Sequence, residues 1–308
     1  MSGILGAFQS FRSTLLGEGT AAWFGAGYLA SSIVDRIIFA TDTNTATTRG
    51  PLSAARYELA AVGSTTDAWF AGGGGPVGGY TTIDRITYAT DTATASVRGS
   101  LSVGRRMFAA TSNGYGGWFA GNFPASATVQ VIAYATDTAT ASVRGPLSVS
   151  IYGLAAAGNL YYGWFGGGYS GGNRSTVQRI TYATDTATAS VRGPLSLARQ
   201  LLAATGNATD TWFGGGYSAR STVDRITYAT DTATASVRGP LSSGRAYLAA
   251  AGNATDGWFA GGSTPSVPGT YRSLVDRITY ATDTNTASAR GPLSSNRLKF
   301  AAASNMNI

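Results

Sequence analysis

The feature that most constrains this chain is an internal repeat. The eleven residues ATDTATASVRG occur four times without change, at 89–99, 135–145, 183–193 and 229–239. Two landmarks extend the pattern to six copies: an aromatic residue that opens each ATDT segment, and a Trp-Phe pair. The aromatic residues are Phe39, Tyr88, Tyr134, Tyr182, Tyr228 and Tyr280, and the tryptophans are Trp23, Trp69, Trp118, Trp164, Trp212 and Trp258. A period of 46 to 52 residues is typical of propellers, solenoids and other repeat arrays.

Each copy divides into four short extended segments separated by turn residues. The segments are R-x-x-L-A-A, W-F-x-G-G, V-D-R-I-T-Y-A-T and A-T-A-S-V-R-G, with Gly pairs, Asx-type turns and RGPLS between them. Helices are not expected, because the chain has 42 Gly but only two Glu and one Lys. Four strands in each of six copies predict an all-β, six-bladed β-propeller built from four-stranded antiparallel blades.

The segment order resembles the kelch family. The shared features are a diglycine after an apolar strand, an extended strand ending in tyrosine, a tight polar turn, a fourth strand and an Arg that opens the next copy; they cover residues 20–305. The chain differs in placing its Trp beside Phe, before the diglycine, instead of in the fourth strand. The resemblance implies a propeller that serves as an interaction platform or, rarely, as an enzyme. The exact repetition of the eleven-residue segment also resembles the repeats of phage virion proteins, tail fibres especially.

The ends of the chain indicate how the ring closes. The segment RLKFAAASN at 297–305 matches the inner-strand segment RQLLAATGN at 199–207 but has no Trp-Phe pair after it. We therefore expect residues 297–303 to supply the inner strand of the first blade, since closure leaves no exposed sheet edge; residues 1–19 are the alternative source. The predicted domains are an N-terminal arm or anchor at 1–19 and a propeller at 20–308. Its repeats lie near 20–53 plus 297–305, 54–102, 103–148, 149–196, 197–242 and 243–296.

The composition excludes several kinds of chemistry. Without cysteine or histidine the chain has no thiolate, no disulfide, no zinc-thiolate site and no imidazole base. The aspartates of the six ATDT turns each offer one carboxylate, whereas calcium requires six to eight clustered oxygens, so turn capping is the expected role. No catalytic residue, metal or cofactor is predicted, and the chain is not expected to be an enzyme.

Arginine accounts for most of the positive charge, which totals 22 basic against 15 acidic residues. Most arginines recur with the repeat, so we expect them to join blades by pairing with carboxylates such as Asp35, Asp84, Asp224 and Asp276. A nucleic-acid platform requires aromatic residues along an open groove and more lysine, so nucleic acid is not an expected partner.

Variation in length is confined to one connection. The interval from each ATDT aromatic to the next Trp is 30 residues in all five cases, whereas the interval from each Trp to its own aromatic is 16, 19, 16, 18, 16 or 22. Variable loops on a rigid scaffold are a common way to build a binding surface, although neutral drift of surface loops is the alternative. The predicted partner-binding residues in these loops are Tyr28, Tyr80, Phe123, Tyr169, Arg174, Tyr217, Arg220, Tyr271 and Arg272.

The connectivity of a blade also predicts two different faces. Loops after the second strand and crossovers between blades share one face, which should be basic, aromatic and variable. The other face should carry the six turn aspartates and be acidic and uniform.

These observations predict a binding protein without catalysis: a virion structural or host-recognition protein associated with a phage tail. The alternative is a glycan-binding lectin outside any virion. The expected partners are other virion proteins or a host surface glycan or receptor, with a symmetric homo-oligomer through residues 1–19 as a further option. The sequence shows neither a secretion signal nor an apolar run of membrane-spanning length, which predicts synthesis in the host cytoplasm and no membrane span.

Overall fold

The computed structural model describes residues 19–28, 31–75, 78–218, 220–264 and 270–305. In these residues the chain forms six antiparallel sheets, which are the blades of a closed ring. The all-β, six-bladed propeller predicted from the repeat is confirmed. Helical structure in the described ranges consists of six single 3-10 turns, one at each ATDT aromatic: Phe39–Thr41, Tyr88–Thr90, Tyr134–Thr136, Tyr182–Thr184, Tyr228–Thr230 and Tyr280–Thr282.

The strands of the described residues follow one another in a regular order. In chain order they are β1 (Ala21–Gly27), β2 (Ser31–Ile38), β3 (Thr47–Arg49), β4 (Ala60–Gly63), β5 (Asp67–Ala71), β6 (Gly74–Gly75), β7 (Gly78–Thr87), β8 (Ser96–Arg105), β9 (Ala109–Ser112), β10 (Gly116–Ala120), β11 (Val129–Ala133), β12 (Ser142–Arg144), β13 (Ala155–Gly158), β14 (Tyr162–Gly166), β15 (Val177–Thr181), β16 (Ser190–Arg192), β17 (Ala203–Gly206), β18 (Asp210–Gly214), β19 (Val223–Thr227), β20 (Ser236–Arg238), β21 (Ala249–Gly252), β22 (Asp256–Ala260), β23 (Val275–Thr279), β24 (Ser288–Arg290) and β25 (Ala301–Ser304). None of the helical turns in the described ranges has the length or the apolar run of a membrane-crossing helix.

Four strands pair in sequence within each blade, from the centre of the ring outward. The first blade has the order β25-β1-β2-β3, and the others are β4-β5-β7-β8, β9 to β12, β13 to β16, β17 to β20 and β21 to β24; in the second, β6 also pairs with β7. The innermost strands of neighbouring blades contact one another around a complete circle, and they surround a central channel. The sequence of hairpins therefore forms a disk with two faces.

The C-terminal strand closes this ring, as predicted. Strand β25 pairs antiparallel with β1, with Ala303 opposite Trp23. The side chain of Asn305 also accepts hydrogen bonds from the backbone N–H of Thr20 and Ala21, at 2.8 and 3.0 Å. The strand occupies Ala301–Ser304, slightly later than the predicted 297–303. The predicted arm at 1–19 lies outside the described residues apart from Gly19, so its role stays a prediction.

Truncation tests the closing strand. A chain that ends at residue 296 loses the inner strand of its first blade, which exposes the unpaired edge of β1 to other molecules. We expect this variant to aggregate, as measured by light scattering and size-exclusion chromatography. The matched control ends at residue 305, keeps β25 and Asn305, and should remain monodisperse with the wild-type unfolding midpoint. A monodisperse, fully folded short variant would contradict the role given to this strand.

The Trp-Phe pair of each blade packs against both neighbouring blades. Adjacent residues on a strand point to opposite sides, so the Trp faces the following blade and the Phe faces the preceding one. Trp164, for example, packs with Phe213 of the next blade and stacks on its Tyr228, with ring centroids 3.8 Å apart. All six interfaces have such a stack, at 3.8 to 4.0 Å. The predicted packing of these pairs between blades is confirmed.

The ATDT turn of each blade enters the same interface. The indole Nε1 of the preceding blade donates to the turn carboxylate at 2.8 to 2.9 Å in all six cases: Trp23–Asp91, Trp69–Asp137, Trp118–Asp185, Trp164–Asp231, Trp212–Asp283 and Trp258–Asp42. Arginines of the preceding blade pair with the same carboxylate, as Arg179 and Arg192 do with Asp231 at 3.0 and 3.5 Å. We call one Asp with its Trp and Arg partners an aspartate latch.

The latches correct two predictions. Five of the six turn aspartates are only 4 to 5% exposed, and their carboxylates bind the neighbouring blade instead of capping their own turns. Burial of Asp137 disfavours its charge, but hydrogen bonds from Arg98 and Trp69 outweigh burial and lower the pKa of this carboxyl. The prediction of an acidic face made by these residues is therefore wrong, because each charge is buried beside one or two arginines.

One latch is weaker than the others. In the third blade Val131 takes the place of the third-strand arginine, so Arg144 alone pairs with Asp185, at 3.0 Å. The Asp185 side chain is 15% exposed, whereas the corresponding side chains of the other latches are 4 to 6% exposed. Comparing the Asp185 latch with a latch that has two arginines therefore measures what the second arginine contributes.

A second set of ion pairs anchors four of the six crossovers to the blades that they enter. In four blades the buried arginine that opens the inner strand pairs with a third-strand aspartate at 2.8 to 3.0 Å: Arg56–Asp84, Arg199–Asp224, Arg245–Asp276 and Arg297–Asp35. The predicted partners Asp35, Asp84, Asp224 and Asp276 are confirmed, although each pair lies within one blade. In the fourth blade Ile151 and Gln178 replace both members. In the third blade Gln130 replaces the aspartate, and the buried Arg105 donates to the carbonyl oxygens of Gly121 and Thr128 instead of to a counterion.

Candidate functional site

The connections divide between the two faces as the topology requires. Because strands alternate in direction, the variable loops after each second strand and the crossovers between blades lie on one side, which we call the upper face. The tight turns between first and second strands and the ATDT turns lie on the other side, the lower face. All nine predicted partner-binding residues lie on the upper face. Parts of the loops, namely 29–30, 76–77, 219 and 265–269, lie outside the described residues.

The structure brings most of the predicted loop aromatics together in two clusters. Tyr28 packs edge to face against Tyr57 and Tyr271, with ring centroids 5.8 Å apart in both pairs. Across the face, Tyr152 contacts Phe123 and Tyr169, at 5.0 and 5.3 Å. Both clusters contain a tyrosine from an inner-strand segment, Tyr57 or Tyr152, that was not among the predicted residues. These two rings link the variable loops to the centre of the disk.

The other predicted residues are more dispersed. Tyr80 lies on β7, in register with Arg105 of β8, and is half-buried. Tyr217 is 47% exposed. Arg174, Arg220 and Arg272 are exposed, and the guanidinium of Arg174 donates to the carbonyl oxygen of Ser170 in its own loop. These three arginines supply positive charge to the upper face, as predicted.

The backbone under these loops is fixed. The carbonyl oxygens of Arg174, Arg220 and Arg272 accept hydrogen bonds from the N–H of Arg199, Arg245 and Arg297, at 3.0 to 3.1 Å. Since those partners are the buried arginines of the second set of ion pairs, each loop is tied directly to its crossover. The loops therefore present their side chains from a rigid base.

A ring of six residues at the mouth of the channel was missed by sequence reasoning. These residues stand two positions after the arginine, or its replacement, that opens each inner strand, and all have left-handed backbone with φ between 54 and 65°. They are Glu58, Met107, Gly153, Leu201, Tyr247 and Lys299. Each N–H donates to the carbonyl oxygen of the equivalent residue in the preceding blade at 2.7 to 3.0 Å, which closes a circle of six hydrogen bonds. We call this circle the mouth ring.

The mouth ring has features of a functional site. Five of its members are not glycine, and left-handed backbone costs such residues of order 1–3 kcal/mol each, a cost that is found most often at ligand-binding positions. The six side chains all differ in a chain that copies other segments literally. The signal was present in the sequence: the second of the two positions between the first and fourth residues of R-x-x-L-A-A is different in every copy.

The central channel beneath the ring is narrow. Its upper part is a cavity of about 80 Å³, lined by the mouth ring and by Leu59, Phe108, Leu154, Leu202, Leu248 and Phe300. Its lower part is a cavity of about 90 Å³, lined by small residues of the inner strands. Each part has room for only a few water molecules, so a larger ligand must bind across the mouth.

Charge at the mouth is concentrated around Glu58, which pairs with Lys299 and lies 3.9 Å from the Arg106 guanidinium. The Lys299 Nζ lies 2.7 Å from Glu58 Oε1 and 4.9 to 5.5 Å from the ring centroids of Tyr28, Tyr57 and Tyr247. Burial raises the pKa of Tyr247; the charge of Lys299 opposes this shift, and Glu58, Tyr217 and Tyr152 add to it. Lys299, Glu58 and the three tyrosine rings around the ammonium are therefore close enough to act on one ligand.

The lower face is less uniform than predicted. The turns of the fifth and sixth blades are alike, and each is closed by an asparagine side chain, Asn207 or Asn253, that accepts backbone N–H groups. The third and fourth blades have the same closure, by Asn113 and Asn159, and also expose Tyr115 and Tyr161, at 79% and 67%. The lower face thus provides exposed aromatic residues that can serve as a control for the upper face.

Comparisons with known proteins show the architecture alone. No family model matches the sequence, and no curated protein matches it. Among solved structures, one described as the structure of YjhT is similar, with a TM-score of 0.71 over 89% of this chain and 95% of that chain. The sequence identity is 13%, so the similarity shows a shared propeller fold.

Proposed function

We propose that this propeller is a binding protein without catalytic activity, and that its upper face contacts the partner. The observation that carries the proposal is the distribution of variation. The aspartate latches and the Trp-aromatic stacks repeat around the ring, whereas the variable loops and the mouth ring differ from blade to blade. A uniform scaffold with one diverse face is the arrangement expected of a recognition module.

The biological setting that we propose is a phage virion, in which the chain acts as a tail-associated structural or host-recognition protein. Literal internal copying supports this setting, as does the position of the described chain ends. Thr20 and Asn305 meet on the lower face, so an attachment through residues 1–19 would leave the upper face free. The expected partners are other virion proteins or a host surface glycan or receptor. Mass spectrometry of purified particles tests the setting directly.

A glycan-binding lectin outside any virion is the second candidate. The observation that favours it is the tyrosine content of the upper face, where Tyr28, Tyr57 and Tyr271 form one cluster and Tyr152 and Tyr169 belong to another. Tyrosine rings pack on the apolar faces of sugars while their hydroxyl groups form hydrogen bonds. Absence of the chain from particles, together with glycan binding, would favour this candidate.

Substitutions on the two faces test the binding surface. In the upper-face variant, six predicted residues, Tyr169, Arg174, Tyr217, Arg220, Tyr271 and Arg272, are replaced by Ser or Ala. In the lower-face control, Tyr115 and Tyr161 are replaced by Ser. We expect the upper-face variant to lose at least about tenfold in attachment to a panel of bacterial strains, measured with labelled protein, because interface energy is concentrated in Tyr and Arg anchors. The control should attach like the wild type. Loss in the control alone, with both variants folded, would place the functional surface on the lower face.

A further inference from the structure

The mouth of the channel contains a charge pair that the repeat does not explain. The chain has two glutamates and one lysine, and all its other ionic side chains are aspartate or arginine. Glu58 and Lys299 nevertheless meet at 2.7 Å, where the sixfold pattern places Met107 and Leu201 in other blades. Neither residue takes part in an aspartate latch or in the crossover ion pairs. The pair is therefore an addition to the scaffold at one point of the mouth ring.

The backbone holds this pair in a fixed position. Glu58 N–H donates to the carbonyl oxygen of Lys299 at 2.7 Å, and both residues have left-handed backbone, with φ of 59°. The closed circle of hydrogen bonds prevents either residue from relaxing without breaking the ring. Rigid placement of polar groups in strained backbone is the arrangement that ligand-binding sites require.

Glu58 also retains an unused acceptor. Its side chain is 5% exposed, and within the described ranges its Oε2 atom has no hydrogen-bond partner. The Arg106 guanidinium lies near this oxygen, with Nη1 at 3.9 Å, which is beyond hydrogen-bond distance. Buried carboxylate oxygens are nearly always hydrogen-bonded, so this atom is an acceptor that a group at the mouth could satisfy.

Aromatic rings surround the pair. Tyr28, Tyr57 and Tyr247 lie around the Lys299 ammonium, and Tyr217 and Tyr152 are near enough to affect the pKa of Tyr247. These rings offer apolar faces and hydroxyl groups that both donate and accept. The mouth thus combines an acceptor, an ammonium donor and several apolar faces within one small area.

These features select one ligand chemistry. The Glu58 carboxylate repels an anion, and the two cations beside it, Lys299 and Arg106, repel a cation, so the site favours neither. Hydroxyl groups can donate to Glu58 and accept from Lys299, and the C–H faces of a saturated ring can pack on tyrosine. The cavity of about 80 Å³ admits a substituent but not a whole ring. We propose that the mouth ring binds a neutral sugar ring across its opening, with Glu58 and Lys299 as its polar contacts. This inference rests on the proposed function, because it names the ligand of the same upper face.

Ligand-observed NMR on the full chain tests the proposal. The probes are glucose, galactose, mannose and N-acetylglucosamine, and saturation transfer reports which protons contact the protein. We expect at least one sugar to bind at concentrations up to about 50 mM, which would detect dissociation constants in the millimolar range. Glu58→Gln and Lys299→Met should each weaken this binding at least about tenfold, the size of one lost hydrogen bond to a charged group. Tyr115→Ser, a substitution on the lower face and away from the mouth ring, should leave affinity within about twofold.

A charged probe separates a binding role from a structural one. Lys299 and Glu58 also join the first and second blades, so the unfolding midpoint of every variant is measured alongside binding. If Glu58 sets specificity, Glu58→Gln should gain affinity for glucuronate, because Lys299 and Arg106 are then left without their carboxylate. A role in ring closure alone would change stability without changing this preference.

The outcomes also separate this proposal from the proposed function. Binding of none of the four sugars to the wild type, or equal sugar binding by Glu58→Gln, Lys299→Met and the wild type, would overturn the sugar site. If the upper-face variant still lost attachment to cells in that case, the upper face would remain the recognition surface and its partner would be a protein. If the sugars bound but attachment to cells did not depend on the upper face, the sugar site would stand and the proposed role of the upper face in host recognition would be wrong.

Discussion

Replacing Gly193 by alanine is expected to destabilise the propeller by about 4 kcal/mol or more, or to prevent the ring from forming. Gly193 directly follows the fourth blade's outer strand, and its N–H donates to the carbonyl oxygen of Asp231 in the next blade at 2.8 Å. A Cβ atom at this position would overlap the backbone carbonyl of Ala233. The obstacle is backbone in a turn that the aspartate latch already fixes, so it cannot rotate away as a side chain would.

Gly172 provides the matched control for this substitution. It lies in a variable loop of the same blade, has no positive φ, and a Cβ atom there would have no heavy atom within 4 Å. Gly172→Ala should be neutral or stabilise the protein by up to about 1 kcal/mol, because it reduces the entropy of the unfolded chain. Urea unfolding followed by tryptophan fluorescence measures both variants. A wild-type midpoint for Gly193→Ala would show that the blades can separate at this contact without cost.

The second large effect is expected from breaking an aspartate latch. Asp231→Ala leaves the buried indole N–H of Trp164 without its acceptor and removes the counterion of Arg179 and Arg192. We expect a loss of about 2–4 kcal/mol in the free energy of unfolding, reduced from the value for a fully buried pair because both arginines are about a fifth exposed to water.

The third-blade interface supplies the comparison for that loss. Asp185→Ala removes a latch that has one arginine and a more exposed carboxylate, so a loss of about 1–2 kcal/mol is expected. Val131→Arg should restore the missing partner and stabilise the wild-type chain, but it should have no stabilising effect in the Asp185→Ala background. Chemical denaturation of the four variants checks these differences. Equal losses at Asp231 and Asp185 would show that the second arginine contributes nothing to the latch.

The sequence by itself determined the architecture and one part of the candidate site. Local signals were sufficient for this: an invariant period, four extended segments in each copy, and Trp-Phe pairs whose members must face opposite sides of a strand. The C-terminal match to an inner strand also fixed how the ring closes, since a seventh partial copy has one open edge to occupy. Length variation then identified the loops of Tyr28, Tyr169 and Tyr271, which the structure places on the upper face.

Only the tertiary structure decided which equivalent residues meet. In this repeat, all the turn aspartates except Asp137 are preceded and followed by equivalent arginines, so the sequence cannot tell whether Asp231 caps its own turn or binds a residue of another blade. Ring geometry decides this by placing Trp164, 67 residues earlier in the chain, against the turn. It likewise brings Glu58 and Lys299 together from opposite ends of the chain. The left-handed backbone of the mouth ring has the same origin, because its six hydrogen bonds exist only between blades that the closed ring has already positioned.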